Sequence, residues 1–196
     1  MENQIEKRKE ILTFTDAVTE ARRCLQCARP MCRIGCPIEN DIPQFIKALA
    51  QGNIGEASQI ISARSNLPAI CGRVCPHEQQ CEASCILTHK GAGIRIGELE
   101  KFIADLSNEL VLDSIKIAPR EGKVAVIGSG PAGITVAGDL AKMGFSVTIF
   151  ESQLEPGGVL IYGIPEFRLA NDIVRREIAK LTRLGVEIRT QIMVGE

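Results

Sequence analysis

This 196-residue chain has no excess of either charge: 23 Lys and Arg stand against 24 Asp and Glu, a net of -1. A protein that neutralises a phosphate backbone needs a basic surplus, so nucleic acid is excluded as a main partner. No uninterrupted apolar run is long enough to span a bilayer. The opening MENQIEKRKE lacks the apolar core of a signal peptide. These absences predict a cytoplasmic protein with no membrane partner. No residue set marks an acid, base or nucleophile for bond-making, which suits a relay better than a bond-making site. Cysteine disappears after Cys85, although eight cysteines lie between Cys24 and that point.

What is present divides the chain in two. Composition is that of a folded protein, with 45% apolar and 24% charged residues and a mean hydropathy of +0.08. The first half reads helical. Thr15 caps a helix through DAVTEARRCLQC, with Phe14 as its staple. Asp41 precedes IPQFIKALAQG, where Phe45, Ile46 and Leu49 form an apolar side and Gly52 is the stop. IGEASQIISAR repeats the pattern with Ile54, Ala57, Ile60 and Ile61. IGELEKFIADLSNELV is the longest helix of this half, with Ile96, Leu99, Phe102, Ile103 and Leu106 at helical spacing. Then the period changes. KVAVIG reads as a buried strand, PAGITVAGDLAKMG as a helix and FSVTIFE as a second strand. SQLEPGGVLIYGIPEFRL reads as a loop, ANDIVRREIAKLTRLG as a helix and VEIRT as a third strand. Alternating strands and helices imply a parallel sheet.

The cysteines fall in two groups. The first is Cys24, Cys27, Cys32 and Cys36, followed by Pro37; the second is Cys71, Cys75, Cys81 and Cys85, with Pro76 after Cys75. In a reducing compartment such clusters bind metal more often than they form disulfides. Structural zinc draws two close pairs separated by a longer loop. Here four ligands crowd into one run ending before proline, a spacing that resembles the two-cluster ferredoxin run. On that pattern Cys24, Cys27 and Cys32 hold one 4Fe–4S cluster, Cys36 crosses to a second, and the later group completes both. Counting alone assigns all eight cysteines to two clusters. Zinc and dithiol redox chemistry are the alternatives, although Cys24–Cys27 lacks a thioredoxin-like βαβ setting. Arg22, Arg23, Arg29 and Arg33 can stabilise an anionic cluster or form a solvated basic face. His77 and His89 read as exposed turn residues.

The second half carries Gly128-x-Gly130-x-x-Gly133 between a strand and a helix, with Glu151 at the end of the next strand. Gly128 permits the tight turn, Gly130 lets backbone approach a pyrophosphate, and Gly133 lets the helix pack on the strand. Pro131 suits a first helical turn, whose free N–H groups face the diphosphate. Glu151 accepts from ribose hydroxyls and disfavours a 2′-phosphate, so the ligand is FAD or NAD rather than NADP.

Two cysteine motifs followed by VAVIGSGPAG and then PGGVLIYGIPEFRL resemble the glutamate synthase (NADPH) small (beta) subunit family. The same module occurs in dihydropyrimidine dehydrogenase and in the large subunit of bifurcating ferredoxin:NADP oxidoreductases. The resemblance covers nearly the whole chain. It implies an α-helical iron–sulfur domain followed by the first, incomplete part of an α/β Rossmann-like FAD-binding domain. It implies FAD on Gly128, Ser129, Gly130, Pro131, Ala132, Gly133, Glu151 and Gly158, with the segment around Gly157, Tyr162, Gly163, Ile164 and Pro165 along the flavin. It also implies a ligand set that differs from simple counting. Cys24, Cys27, Cys32 and Cys85 hold one 4Fe–4S cluster, and Cys36, Cys75, Cys81 and Glu100 the other, leaving Cys71 outside. Counting favours Cys71 and the resemblance favours Glu100, which otherwise reads as a surface helix residue.

The expected organisation is a helical domain over 1–112, a linker over 113–122 and a partial FAD-binding domain over 123–196. Only one dinucleotide fingerprint occurs, and a strand after Lys123 with no neighbour on its far side leaves an apolar edge. The chain is therefore expected to be a fragment, a truncated product or one piece of an assembly, unable to take hydride from NAD(P)H by itself. NADPH belongs to the full-length protein only. The expected function is electron relay between FAD and the clusters to a partner, either a glutamate synthase-type large subunit or another acceptor protein. The alternative is a cluster- or zinc-bearing docking scaffold with a non-functional nucleotide fold.

Overall fold

The structure is a computed structural model that describes residues 12–107 and 118–195. The contacts of the described residues group into two units, 12–61 with 76–107 and 62–75 with 118–195. The segment 62–75 thus groups with the second unit while the chain on either side of it builds the first.

In the first unit, α1 spans Phe14–Arg22. Its cap is Thr13, two residues earlier than the sequence suggested. The Thr13 hydroxyl accepts from the Asp16 N–H at 3.2 Å, and the Asp16 carboxylate accepts from the Thr13 N–H at 3.2 Å. That reciprocal capping box outweighs a lone Thr15, and the helix stops before the first cysteine. A short α2 (Met31–Ile34) follows, then α3 (Ile42–Ala50) with Pro43 in its first turn. Gly52 follows α3 in the left-handed conformation (φ +81°) that ends helices cheaply. Next come α4 (Ile54–Ser62) and, later in the chain, α6 (Ile96–Ser107). The periodic positions Phe45, Ile46, Leu49, Ile61, Leu99 and Ile103 are fully buried together with Ala17 and Ala21. Each large side chain so buried contributes roughly 1.5–3 kcal/mol. The end of IGELEKFIADLSNELV lies outside the described residues.

In the second unit, α5 (Pro68–Val74) precedes β1 (Lys123–Ile127), α7 (Pro131–Lys142), β2 (Ser146–Phe150), α8 (Val159–Tyr162), α9 (Asn171–Arg183) and β3 (Glu187–Arg189). The strands form a parallel sheet in the order β1-β2-β3. KVAVIG is the edge strand expected from its missing far-side neighbour, with β2 its single neighbour among the described residues, and for that reason it is less buried than its apolar run suggested, with Ile127 70% exposed. The segment read wholly as a loop contains the helical turn α8, preceded by Gly158, where a positive φ re-aims the chain. Leu67 and Ile70 from the α5 segment join Ile134, Ala137, Ile149, Val174 and Leu181 in this unit's core. Polar clamps hold the same segment. Asn66 Nδ2 donates to the Thr135 carbonyl at 3.0 Å and to Asp139 at 2.6 Å, and Lys142 Nζ donates to the Ser62 carbonyl at 2.6 Å. The Ala69 N–H, in the first turn of α5, donates to the fully buried Glu177 carboxylate at 3.2 Å. Among the described residues no helix is long and apolar enough to cross a membrane.

Candidate cluster and dinucleotide sites

The first cysteine run is shaped by a backbone that turns at every ligand. Cys24 and Cys27 follow α1, Cys32 lies within α2, and Cys36 follows it. Between the first two, Gln26 adopts a left-handed conformation (φ 50°), and its amide donates to the Pro43 carbonyl at 3.0 Å and to Cys24 Sγ at 3.4 Å. Cys85 is the N-cap of a 3₁₀ turn over Ile86–Lys90. As a result Cys24, Cys27, Cys32 and Cys85 line one cavity, together with the apolar side chains of Ile42, Ile46, Ile94 and Ile96. Its volume is about 70 Å³, several times the ~10–15 Å³ that a single water needs. Burial pushes the Cys32 thiol up to about 11, reinforced by Cys24, Cys85 and Cys27 nearby. Cys24 is raised in the same way, by burial first and then by Cys27 and Cys85. Such thiols stay protonated until metal charge offsets the repulsion, at which point they bind as thiolates. Among the described residues no three His, Cys, Asp or Glu side chains converge on a point as one ion requires. Four thiols around one apolar-walled cavity, three from a single run and one from a distant segment, are a donor set that fits a 4Fe–4S cluster.

A second group forms around Cys81. Burial raises this thiol, and Glu82, Glu100 and Cys36 raise it further, so Cys36, Cys81 and Glu100 act on one another. Gly35 makes the approach possible: a Cβ there would run into Ser84 Oγ and, at 2.8 Å, the Gln80 carbonyl. Glu100 is 8% exposed, not the surface residue its type suggested, because it sits between Leu99 and Ile103 on the inward side of α6. His77 is also buried, its imidazole pressed against Gly97 where any Cβ would collide. His89 is exposed as expected. Cys71 and Cys75 lie in and after α5, in the second unit. The Cys71 thiol hydrogen-bonds to Cys75 and draws its pKa down to about 7, against the upward effect of burial. Arg22 and Arg29 are exposed, whereas Arg23 donates to the Ala92 and Gly93 carbonyls and pairs with Glu20.

In the second unit the parallel register sets Ile127 opposite Phe150. The residues that follow, Gly128 and Glu151, therefore emerge side by side at the C-terminal ends of the strands, where open α/β sheets bind ligands. Gly128 turns the chain at φ +88° and donates its N–H to the Phe150 carbonyl at 2.8 Å. A Cβ on Gly133 would strike the Gly128 carbonyl, whereas nothing lies within 4 Å of a Cβ on Gly128 or Gly130. The loop is thus packed beneath and open above. Pro131, Ala132 and Gly133 form the first turn of α7, where N–H groups lack helical partners. Gly158 crosses against Gly130, with a Cβ there only 2.9 Å from Gly130 Cα.

Glu151 is 5% exposed and its carboxylate is fully engaged. One oxygen accepts from the Ser129 N–H at 2.8 Å and the Ser129 hydroxyl at 2.5 Å; the other accepts from the Gln153 N–H at 2.8 Å and the Ser152 hydroxyl at 3.3 Å. Burial raises its pKa, but these hydrogen bonds outweigh it and hold the group at about 2. Two further fasteners shape the turn and went unseen in the sequence. Tyr162 Oη accepts from the Glu155 N–H at 2.9 Å, and Arg175 pairs with the Glu155 carboxylate at 3.0 Å. Nothing in the spacing announces either one.

A family model described as dihydropyrimidine dehydrogenase domain II, 4Fe-4S cluster, matches residues 1–111. Another, described as an NAD(P)-binding Rossmann-like domain, matches residues 126–163. The chain is 37% identical over 182 residues to the glutamate synthase [NADPH] small chain of Halomonas elongata, covering 92% of this chain and 39% of that protein. It is 36% identical over 191 residues to the glutamate synthase [NADPH] small chain of Azospirillum brasilense, covering 93% and 39%. It is 35% identical over 195 residues to the NAD-dependent dihydropyrimidine dehydrogenase subunit PreT of Escherichia coli, covering 99% and 47%. The chain therefore spans less than half the length of these relatives.

Proposed function

We propose, for a chain that belongs to the dihydropyrimidine dehydrogenase domain II 4Fe-4S family, that it is the electron-relay segment of an NAD(P)H-dependent flavin and iron–sulfur oxidoreductase of glutamate synthase small-subunit type. The observation that carries this reading is the gathering of Cys24, Cys27, Cys32 and Cys85 around one cavity. A cluster there draws three ligands from a turning run and the fourth from a distant segment. The second cluster takes Cys36, Cys81 and Glu100, with Cys75 as its fourth ligand. A carboxylate donor is harder than thiolate and sets that cluster's potential apart.

FAD is held by the glycine loop from Gly128 to Gly133, with Glu151 and Gly158 beside it. Bound there, FAD would supply hydride exchange with a nicotinamide and one-electron transfer. The chain's own residues supply the rest. The open N–H groups of Ala132 and Gly133 face a diphosphate. The buried side chains of Ile42, Ile46, Ile94 and Ile96 give the first cysteine cavity apolar walls. Leu25, Met31 and Ile86 line the same cavity yet remain at least half exposed, giving electrons an apolar exit toward a partner protein.

Anaerobic purification with joint assay of iron, acid-labile sulfide and flavin tests the proposal. About eight irons and eight sulfides per chain, with a broad visible absorbance bleached by dithionite, are expected. Zinc without sulfide would overturn the relay and leave a scaffold.

A further inference from the structure

We infer that Ser129 is a positioning residue, whose buried hydroxyl fastens the glycine loop, Glu151 and the Gly157–Gly158 turn into one preformed cradle. The inference rests on the FAD reading for its consequence, since the cradle serves that ligand. Ser129 occupies a position at which the Gly-x-Gly-x-x-Gly pattern specifies no residue type. Its side chain is 0% exposed, so it is closed to solvent and to a ligand lying above the loop.

The hydroxyl has one proton to give, and gives it to the Glu151 carboxylate at 2.5 Å. Its oxygen accepts from the Gly157 N–H at 2.9 Å. The Ser129 N–H is also committed to Glu151, at 2.8 Å. Neither polar group of Ser129 is left to donate to a diphosphate, which leaves that task to the first turn of α7. What the hydroxyl does instead is hold Gly157, at φ +132°, so that Gly158, at φ +54°, lies across Gly130. Both conformations are ones that only glycine adopts without strain. A turn with two such residues has many alternatives in solution, and an anchored N–H removes most of them before any ligand arrives. Glu151 is served as well: two of its hydrogen bonds come from Ser129, and they keep it ionised and turned inward.

The experiment uses the full chain with its clusters, flavin-free and with added FAD, and compares wild type with Ser129→Ala and Ser129→Thr. Hydrogen exchange is followed by mass spectrometry in peptides covering residues 153–158 and 146–150, and FAD affinity by flavin fluorescence. In Ser129→Ala the 153–158 peptide is expected to exchange at least about tenfold faster without flavin, while the β2 peptide holds its wild-type rate. FAD is expected to bind about ten- to a hundredfold more weakly, the scale of one or two buried hydrogen bonds. Ser129→Thr, which keeps the hydroxyl, restores both. Unchanged exchange at 153–158 in Ser129→Ala would overturn the inference, as would equal acceleration of both peptides, which marks general unfolding. If Ser129→Ala does not fold, wild type decides: a Gly157 amide that exchanges at the rate of an open chain overturns the junction, and a protected one supports it. If wild type takes up no FAD while the exchange difference stands, the junction holds and the flavin reading fails.

Discussion

Replacing Glu177 with alanine tests how the cysteine-bearing helix α5 is held. Glu177 is fully buried in α9, and its carboxylate accepts the Ala69 N–H at 3.2 Å. Lys180 Nζ stands 2.5 Å from the other oxygen, as an ion pair rather than an aligned hydrogen bond. Alanine leaves the Ala69 N–H buried without an acceptor, and a hydrogen bond to a charged group is worth about 1.5–3 kcal/mol. Breaking a buried pair costs about 3–5 kcal/mol, but the Lys180 side chain is 29% exposed and water recovers part of that. The expected loss is about 2–4 kcal/mol, or roughly 4–16 °C in melting temperature for a chain of this size. Glu177→Gln keeps an acceptor and should lose less than half as much. Because α5 carries Cys71 and leads into Cys75, Glu177→Ala should also shed the cluster that uses Cys75, with iron falling from about eight to about four per chain. Denaturant melts and iron assays on the anaerobic protein read both effects. A Glu177→Ala protein with unchanged stability would refute the clamp; lost stability with full iron would refute the use of Cys75.

Cys32→Ala should remove the cluster in the cavity and leave about four irons, with the dithionite-bleachable absorbance halved; full iron would remove Cys32 from the ligand set. Glu100→Ala and Cys71→Ala separate the two fourth-ligand schemes: the first should lose or shift one cluster's reduction potential and the second should change neither, as read by redox titration followed by electron paramagnetic resonance. Gly133→Ala should abolish flavin uptake, since its Cβ meets the Gly128 carbonyl, and an unchanged flavin content would show that the turn can yield. Glu151 sets a pH dependence. Its folded pKa of about 2 lies below the usual 4.5, so its stabilisation, about 3 kcal/mol, is present in full above pH 4.5 and is lost as pH falls from there toward 2. Glu151→Gln should flatten that part of the stability curve in acid unfolding.

Helix α3 was legible because its apolar residues recur on one side and Asp41 and Gly52 mark its ends. The sheet was legible from strand–helix alternation, and the glycine loop from three glycines and an acid at fixed offsets. The α1 cap was missed because Thr13 and Thr15 are alike in sequence, and only the Asp16 carboxylate reaching back selects Thr13. The apolar run of KVAVIG suggested a buried strand while its missing far-side neighbour suggested an edge, and the 70% exposure of Ile127 follows the second reading. Glu100 was singled out by resemblance, and its burial was legible too: it is four residues after Ile96 and three before Ile103, inside the apolar stripe.

The sequence by itself determined what is short-range. Cysteines three to five residues apart can meet around one group where the backbone between them turns, and Gly128 to Gly133 shape their own turn, so both motifs are written in local spacing. Tertiary structure alone decided which unit the α5 segment joins and that Ser129 spends its hydroxyl on Glu151 and Gly157. Each of these pairs residues far apart in the chain through burial and hydrogen bonds that exist only once the core has closed. No local pattern encodes them, because a carboxylate or a hydroxyl looks the same in sequence whether water or protein satisfies it.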